Sequence, residues 1–517
     1  MRSTYRTGMM VAAVALLASG SSALAADPTI ESLQQQINAL SQQLNALKTA
    51  PAAAPAAAPV QGAATVPNNA GPGFLQYGSS AGGFVIPGTK TALKIGGNMK
   101  FDMAWDFDAG IGAAGLDQYA IRSATMGTGQ AGFALPGTAA ARQTGRFSAN
   151  AGYSRLNFET RTPSEYGEIK FYTEIDFAGG VSATGATNVG GGNAYNSNSH
   201  LVRLRHVYGT IGNWTIGQTW TLWSDRATLP NSVENNGPIG PESGVRAPKI
   251  AYKWNIDPAQ KNQLEFAIEN PFSDFNGADQ EAFNGANNPS PTTFNNKYPD
   301  FLVRYGHNED WGRTYLTGMV RDISINTAGI ALSSGVYNGA ANDSTIGWGV
   351  TGGGKIYTPF TGNAKNAVYG RVEAGQGIGR YMNFNSGSQN VSAVLDSSGH
   401  LKTVYAGSYE LSYQHFWDSK NVWQSNVIWG DQKIWQKGSM LPTSALQGLP
   451  TDFQEVEFNL MWSPNSYVMM GPAYIRANAR VVKPYTNMNT ATGGATRTTS
   501  GTTAVDNRIQ FTTQIGF

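Results

Sequence analysis

Cysteine is absent from the 517 residues, so no disulfide framework supports the fold. Charged residues make up only 14% of the chain and the formal net charge is +2, which excludes the concentrated basic excess of a nucleic-acid-binding domain. Beyond residue 25 no apolar run approaches the roughly 20 residues that a transmembrane helix needs. The five histidines, His200, His206, His307, His400 and His415, are scattered without a His-x-x-x-His pair, so neither a zinc site nor any cofactor is expected. By strand parity His206 and His415 fall on the lipid-facing side, near short turns. Two glycine-rich stretches, Gly375 to Arg380 ("GQGIGR") and Thr351 to Lys355 ("TGGGK"), lack the strand-to-helix context of a phosphate-binding loop. Glycine inside such strands marks bends or close packing instead.

What is present begins with a secretory pattern. Arg2 and Arg6 precede the run "MMVAAVALLA" and the small-residue end Ala23-Leu24-Ala25, which reads as a signal peptide over residues 1–25. Residues 26–50 carry a heptad rhythm, with Ile30, Leu33, Ile37, Leu40, Leu44 and Leu47 at spacings of three and four, and predict a short α-helical coiled coil. Residues 51–83 are an Ala/Pro-rich linker that Pro holds extended.

From residue 84 to 517 the composition shifts to Gly, Asn, Thr and aromatics. Leu93 to Phe107 alternates strictly, apolar residues (Leu93, Ile95, Met99, Phe101, Met103, Trp105, Phe107) against polar and charged ones (Lys94, Asn98, Lys100, Asp102, Asp106). Soluble strands run about five or six residues, whereas strands tilted across a bilayer need about nine to eleven. The pattern recurs to give about sixteen strands, separated alternately by tight turns and long loops, as in outer-membrane barrels. Trp214, Trp254, Trp311, Trp417, Trp423 and Trp462 sit beside the short turns and predict an aromatic girdle. The expected fold is an all-β transmembrane barrel of about 16 antiparallel strands, preceded by a periplasmic coiled coil.

About sixteen strands leave an aqueous channel. Parity points Arg155, Arg161, Arg203, Arg205, Lys249, Lys253 and Arg304 inward, where a basic wall attracts and orients anions. The segment after Trp220, "TLWSDRATLPNSVENNGPIGPESGVR", is placed to fold into the lumen as a constriction loop, contributing Asp225, Arg226, Glu234, Glu242 and Arg246. Its acidic residues are expected to face the basic wall across the narrowest part. Arg155, Arg203 and Arg205 are the strongest anion-binding candidates because planar guanidinium groups match carboxylates two oxygens at a time; the alternative is pairing with Glu159, Glu168, Glu174 and Asp176 on adjacent strands. No catalytic residues are expected: Ser412 and His415 have opposite parity and face different sides of the wall. Rival readings are a general or sugar-permeable porin and an adhesin or tether without transport.

Taken together, "GFVIPGTKTALKIGGNMKFDMAWDF", "SRLNFETRTPSEYGEIKFYTEIDF", "LVRLRHVYGTIGNWTIGQTW", "GQGIGRYM" and "SYQHFW" resemble the DcaP-like outer-membrane porins. That resemblance implies a homotrimer of sixteen-stranded channels in a Gram-negative outer membrane, among lipids and lipopolysaccharide, taking up dicarboxylates and similar small anions. It also implies recognition of the terminal Phe517 by the barrel assembly machinery, and a periplasmic coiled coil. The heptads alone point elsewhere, since Ile at a with Leu at d favours two strands. Barrel contacts are therefore expected to fix the trimer, with the helix as an accessory clasp.

Overall fold

The computed structural model describes residues 83–108, 144–179, 201–235, 237–242, 244–273, 296–326, 342–382, 392–395, 400–435, 450–481 and 501–517, with short pieces of the segments between. The signal peptide, the heptad positions Ile30, Leu33, Ile37, Leu40, Leu44 and Leu47, and nearly all of the linker lie outside the described residues.

Sixteen antiparallel strands form one closed sheet. They are β1 (Ala92–Asp106), β2 (Arg155–Ser164), β3 (Gly167–Asp176), β4 (Arg203–Ile211), β5 (Trp214–Trp220), β6 (Arg246–Asn255), β7 (Asn262–Glu269) and β8 (Asp300–Glu309). Then follow β9 (Gly312–Asn326), β10 (Asn342–Tyr357), β11 (Ala367–Gln376), β12 (Tyr405–Phe416), β13 (Trp423–Trp435), β14 (Pro450–Asn465), β15 (Val468–Val481) and β16 (Thr503–Gly516). Each pairs with the next, and β16 returns to β1 in a register running from Asn98 opposite Gly516 to Asp106 opposite Arg508. Closure is what a bilayer demands, since an open edge would leave backbone N–H and C=O groups unsatisfied in hydrocarbon. Across the closing seam Arg508 Nε donates to Asp106 Oδ1 at 2.6 Å. No helix among the described residues is long and apolar enough to cross a membrane.

The alternation of β1 lands as its sequence dictates. Ile95, Met99 and Trp105 are exposed on the outer surface, while Lys100, Asp102 and Asp106 are buried inside. β2 is broken near its top: a separate stretch, Arg146–Asn150, continues the pairing with β1, and residues 151–154 detour between the two pieces. Ser154 holds the detour, its hydroxyl accepting from Lys100 N at 3.0 Å. Tight turns at one end (164–167, 211–214, 309–312 and 465–468) alternate with long connections at the other. Trp214, Trp254, Trp311, Trp417 and Trp423 stand exposed beside these turns and the connections 255–262 and 416–423 at the same end, and Trp462 lies 6.4 Å from Trp423 by ring centroid. Trp105, Trp348, Trp429 and Trp435 are exposed on the outer surface as well. Only Trp220 and Trp223 turn inward.

One parity expectation fails. His206 does not face lipid but is completely buried, its Nδ1 lying 3.1 Å from Thr219 Oγ1. The cause is a β-bulge: Glu174 pairs with His206 and Ile175 with Leu204, so Arg205 is an extra residue on β4. A bulge brings two successive side chains to one side, and here both Arg205 and His206 enter the barrel. His415 keeps its place on the outer parity, with Asn366 Nδ2 and Tyr413 Oη at 3.1 and 3.2 Å from its Nδ1, whereas Ser412 is buried on the lumenal side.

Candidate constriction site

The segment from Thr221 to Val245 does not cap the barrel mouth but crosses its interior. Carboxylates on the wall hold it by accepting from its N–H and O–H groups. Glu269 of β7 accepts from Thr221 Oγ1 at 2.7 Å and from Leu222 N at 2.6 Å. Glu373 of β11 accepts from Trp223 Nε1 at 2.8 Å. Glu457 of β14 accepts from Ser232 Oγ at 2.6 Å and Val233 N at 2.9 Å. On the far side Lys100 Nζ reaches the Val233 carbonyl at 3.3 Å. Losing one such charge-assisted bond at a buried site costs about 1.5–3 kcal/mol, so the loop is fixed at several separate points.

Two local features shape it. Asp225 caps a single 3-10 turn, Arg226–Thr228, accepting from Ala227 N at 3.0 Å, and its other oxygen accepts from Arg313 Nε of β9 at 2.6 Å. Burial opposes the charge of this carboxyl, but Arg313 and Arg304 outweigh it and hold Asp225 below the usual carboxylate range. Further on, the loop backbone passes directly over β13 at Gly430, where a Cβ would lie 1.6 Å from the Ile239 carbonyl oxygen. Any other residue there would displace the loop.

An apolar cluster packs behind it. Leu222, Trp223 and Ile239 from the loop meet Ile378, Tyr381, Met382 and Val404 from the connection between β11 and β12, together with inward residues of β13 to β16 such as Ile434 and Phe453. The glycine-rich stretch Gly375 to Arg380 is thus a packing element: it turns inward at Gly377 and buries Ile378 completely.

Two of the loop acids lie against the wall and the third is held within the loop. Asp225 is paired with Arg313, the Glu234 carboxylate is 3.9 Å from Arg508 Nη1, and Glu242 accepts from Val245 N and senses Arg226. Burial pushes the Glu242 carboxyl above its ordinary range, against the opposing pull of Val245 N–H and Arg226.

The basic residues divide into two sets. Arg161 is paired with Glu159 at 2.6 Å and Glu168 at 2.9 Å, Arg304 with Glu265 at 2.7 Å, and Lys249 Nζ donates to the Trp220 carbonyl at 2.6 Å. Lys253 is half-buried on β6. The second set converges on one indole. The guanidinium carbons of Arg226, Arg246 and Arg205 lie 3.8, 4.9 and 5.7 Å from the centroid of Trp220. Arg155 stands behind them, 4% exposed, with Glu174 at 4.0 Å.

The cluster is poorly compensated. Arg203 grips Asp176 with two bonds of 3.0 and 2.7 Å, and Arg205 reaches Glu174 at 2.7 Å and Asp176 at 3.1 Å. Against these two carboxylates and Glu242, which faces Arg226, stand five guanidinium groups. All three nitrogens of Arg226 are buried without a hydrogen-bond partner, as are Arg155 Nε and Nη1, Arg205 Nη2, Arg246 Nη1 and Trp220 Nε1. Buried N–H donors on cations carry a large desolvation penalty unless an acceptor arrives.

Trp220 escapes the sequence reading for a definite reason. It shares the even parity of the outward-facing Trp214 and Ile216, and the ladder to β6 runs through it without a shift, yet at the end of β5, where the chain passes into the loop, it is buried beside His206.

A closed sixteen-stranded barrel whose interior is crossed by a tethered loop and lined by arginine defines an outer-membrane channel of the porin class. The family model for the DcaP outer membrane protein matches residues 73–346, more than half of the chain, and the protein belongs to that family. It is accordingly a protein of the Gram-negative outer membrane. No curated protein matches the chain. Among solved structures it is similar to the outer membrane channel DcaP of Acinetobacter baumannii, at TM-score 0.60 and 15% identity over 84% of this chain and 99% of that one. Lesser similarities are to the anion-selective porin of Comamonas acidovorans (TM-score 0.45, 11% identity, 83% of this chain and 100% of that one) and to OmpT of Vibrio cholerae (TM-score 0.44, 6% identity, 84% and 100%). At such identities the likeness is one of fold.

Proposed function

We propose that this channel passes small anions, dicarboxylates foremost, by diffusion through a constriction whose selectivity resides in Arg155, Arg205, Arg226 and Arg246. The observation that carries the reading is the set of buried, unpartnered guanidinium nitrogens gathered on Trp220. A carboxylate entering this group gains forked N–H donors without displacing an internal partner, while a cation meets uncompensated positive charge in a low-dielectric throat. Two carboxylates on one solute can engage two such forks in succession. A sugar porin would need neutral hydroxyl partners, and a tether would need no charge asymmetry at all.

The working form in this reading is a homotrimer, with residues 26–50 as a periplasmic coiled coil joined through the Ala/Pro linker. The heptads support the coiled coil, and the family resemblance supports the trimer. Phe517 adds a carboxy-terminal aromatic on the closing strand, bonded through its backbone N to the Gly97 carbonyl at 3.1 Å, as the point for the assembly machinery.

Reversal potentials of the purified protein under a salt gradient test the selectivity. Anion preference is expected in the parent, weakened in the Arg226→Ala/Arg246→Ala double variant. A parent channel preferring cations would sink the proposal.

A further inference from the structure

Below the constriction loop, toward the tight-turn end of the barrel, Lys355 has no acid among its cross-strand partners. Lys355 projects inward from β10, two residues before its end, with Arg313 of β9 and Tyr369 of β11 as cross-strand partners. Its Nζ lies 4.9 Å from the ring centroid of Tyr357 and 5.1 Å from that of Tyr369. It forms no ion pair among the described residues. Its inward neighbours Arg313, Tyr315, Tyr369, Ser412 and Gln414 include no carboxylate. Arg313, the neighbouring cation, is already committed to Asp225 of the loop and to Asn308. The Tyr369 hydroxyl donates to Gln414 Oε1 at 2.6 Å, which fixes that ring as a wall under the ammonium.

Two aromatic faces position an ammonium by cation–π attraction but leave its N–H donors and its charge unspent. A lysine in a bidentate ion pair would be held by its counter-charge; this one is held by its stem and by ring faces, and its charge projects into the vestibule.

We propose that Lys355, framed by Tyr357 and Tyr369, is a second anion-binding station on the periplasmic side of the constriction, taking a carboxylate of a solute that has passed or is about to enter the arginine cluster. The inference rests on the anion reading above and adds a site to it. Two weak stations in series let an anion leave the tight one by stages, since conduction needs binding strong enough to admit and weak enough to release. Because Lys355 lies on one side of the loop only, its effect is directional in rate: it raises capture of anions arriving from the periplasmic face and leaves capture from outside to the arginines.

The test uses the mature protein inserted with known orientation in planar bilayers, with succinate added to one side and its transient blockades counted. Lys355→Gln should lower the blockade frequency from the periplasmic side by about threefold, the scale of one partly screened charge, and leave the external side unchanged. Lys355→Arg, which keeps the charge, should restore it. Arg226→Gln should lower the frequency from both sides. Unchanged blockade from the periplasmic side in Lys355→Gln overturns the second station alone, as does loss in Lys355→Arg equal to that in Lys355→Gln. A parent channel that succinate never blocks from either side overturns both this station and the anion reading.

Discussion

The guanidinium of Arg226 lies 3.8 Å above the ring of Trp220, and none of its nitrogens has a hydrogen-bond partner. The indole thus orients a cation without neutralising it. Two more guanidinium groups share the same ring, and the nearby carboxylates Glu174 and Asp176 are occupied by Arg205 and Arg203.

Trp220 is therefore expected to matter more for selectivity than for stability. In Trp220→Ala the three arginines lose their common platform, a contact worth about 0.5–2 kcal/mol for a cation over an aromatic face. Anion preference in reversal-potential measurements should fall, whereas Trp220→Phe, which keeps a face, should retain most of it. Equal loss in both variants would show that the ring merely fills space.

Glu242 makes the preference depend on pH. Burial holds its carboxyl above the ordinary range, and it faces Arg226 and Arg371, with Glu373 accepting from its backbone N–H at 3.3 Å. As pH falls through that raised value Glu242 gains a proton, one negative charge leaves the cluster, and anion preference should rise. The rise should come at a higher pH than the titration of an exposed Glu, whose ordinary value is about 4.3. Glu242→Gln should show the low-pH preference throughout, and a profile as steep as the parent's in that variant would assign the titration to another group.

The crossing at Gly430 predicts a steric lesion far from any charge. Gly430→Ala places a Cβ into the Ile239 carbonyl, and overpacking of this kind costs about 1–3 kcal/mol. The loop, rather than the sixteen-stranded wall, is expected to yield. Heat-modified migration of the folded barrel should be unchanged, while single-channel conductance should differ from the parent and fluctuate. Conductance identical to the parent would show that the strand shifts instead.

Deletion of residues 26–70 tests where the subunits associate. Fewer than three heptads of Gln-rich helix are marginal alone, so trimers extracted in mild detergent should persist. Monomers after the deletion would make the coiled coil the determinant of assembly.

Much of the wall was legible from residue order alone. Period-two alternation has one physical cause, lipid on one face and water on the other, and it placed Ile95 and Trp105 outside and Lys100 and Asp102 inside β1 without reference to any partner. The same alternation placed Arg155, Arg203 and Arg205 on the lumenal side. It failed at two points. At the β4 bulge His206 turns inward beside Arg205, and at the end of β5 Trp220 is buried against the arginines of the loop although its parity is the outward one.

The sequence by itself determined the membrane-spanning class, the strand number and the outward-facing tryptophans beside the turns, because each follows from local pattern and length. Which arginines remain uncompensated was decided by the tertiary structure alone. That outcome depends on carboxylates brought from other strands, Asp176 to Arg203 and Glu174 to Arg205, and on wall acids such as Glu269, Glu373 and Glu457 accepting from backbone, indole and hydroxyl groups of the loop rather than from arginine. Charge pairing in a pore is a long-range property of register and loop path, and no spacing along the chain encodes it.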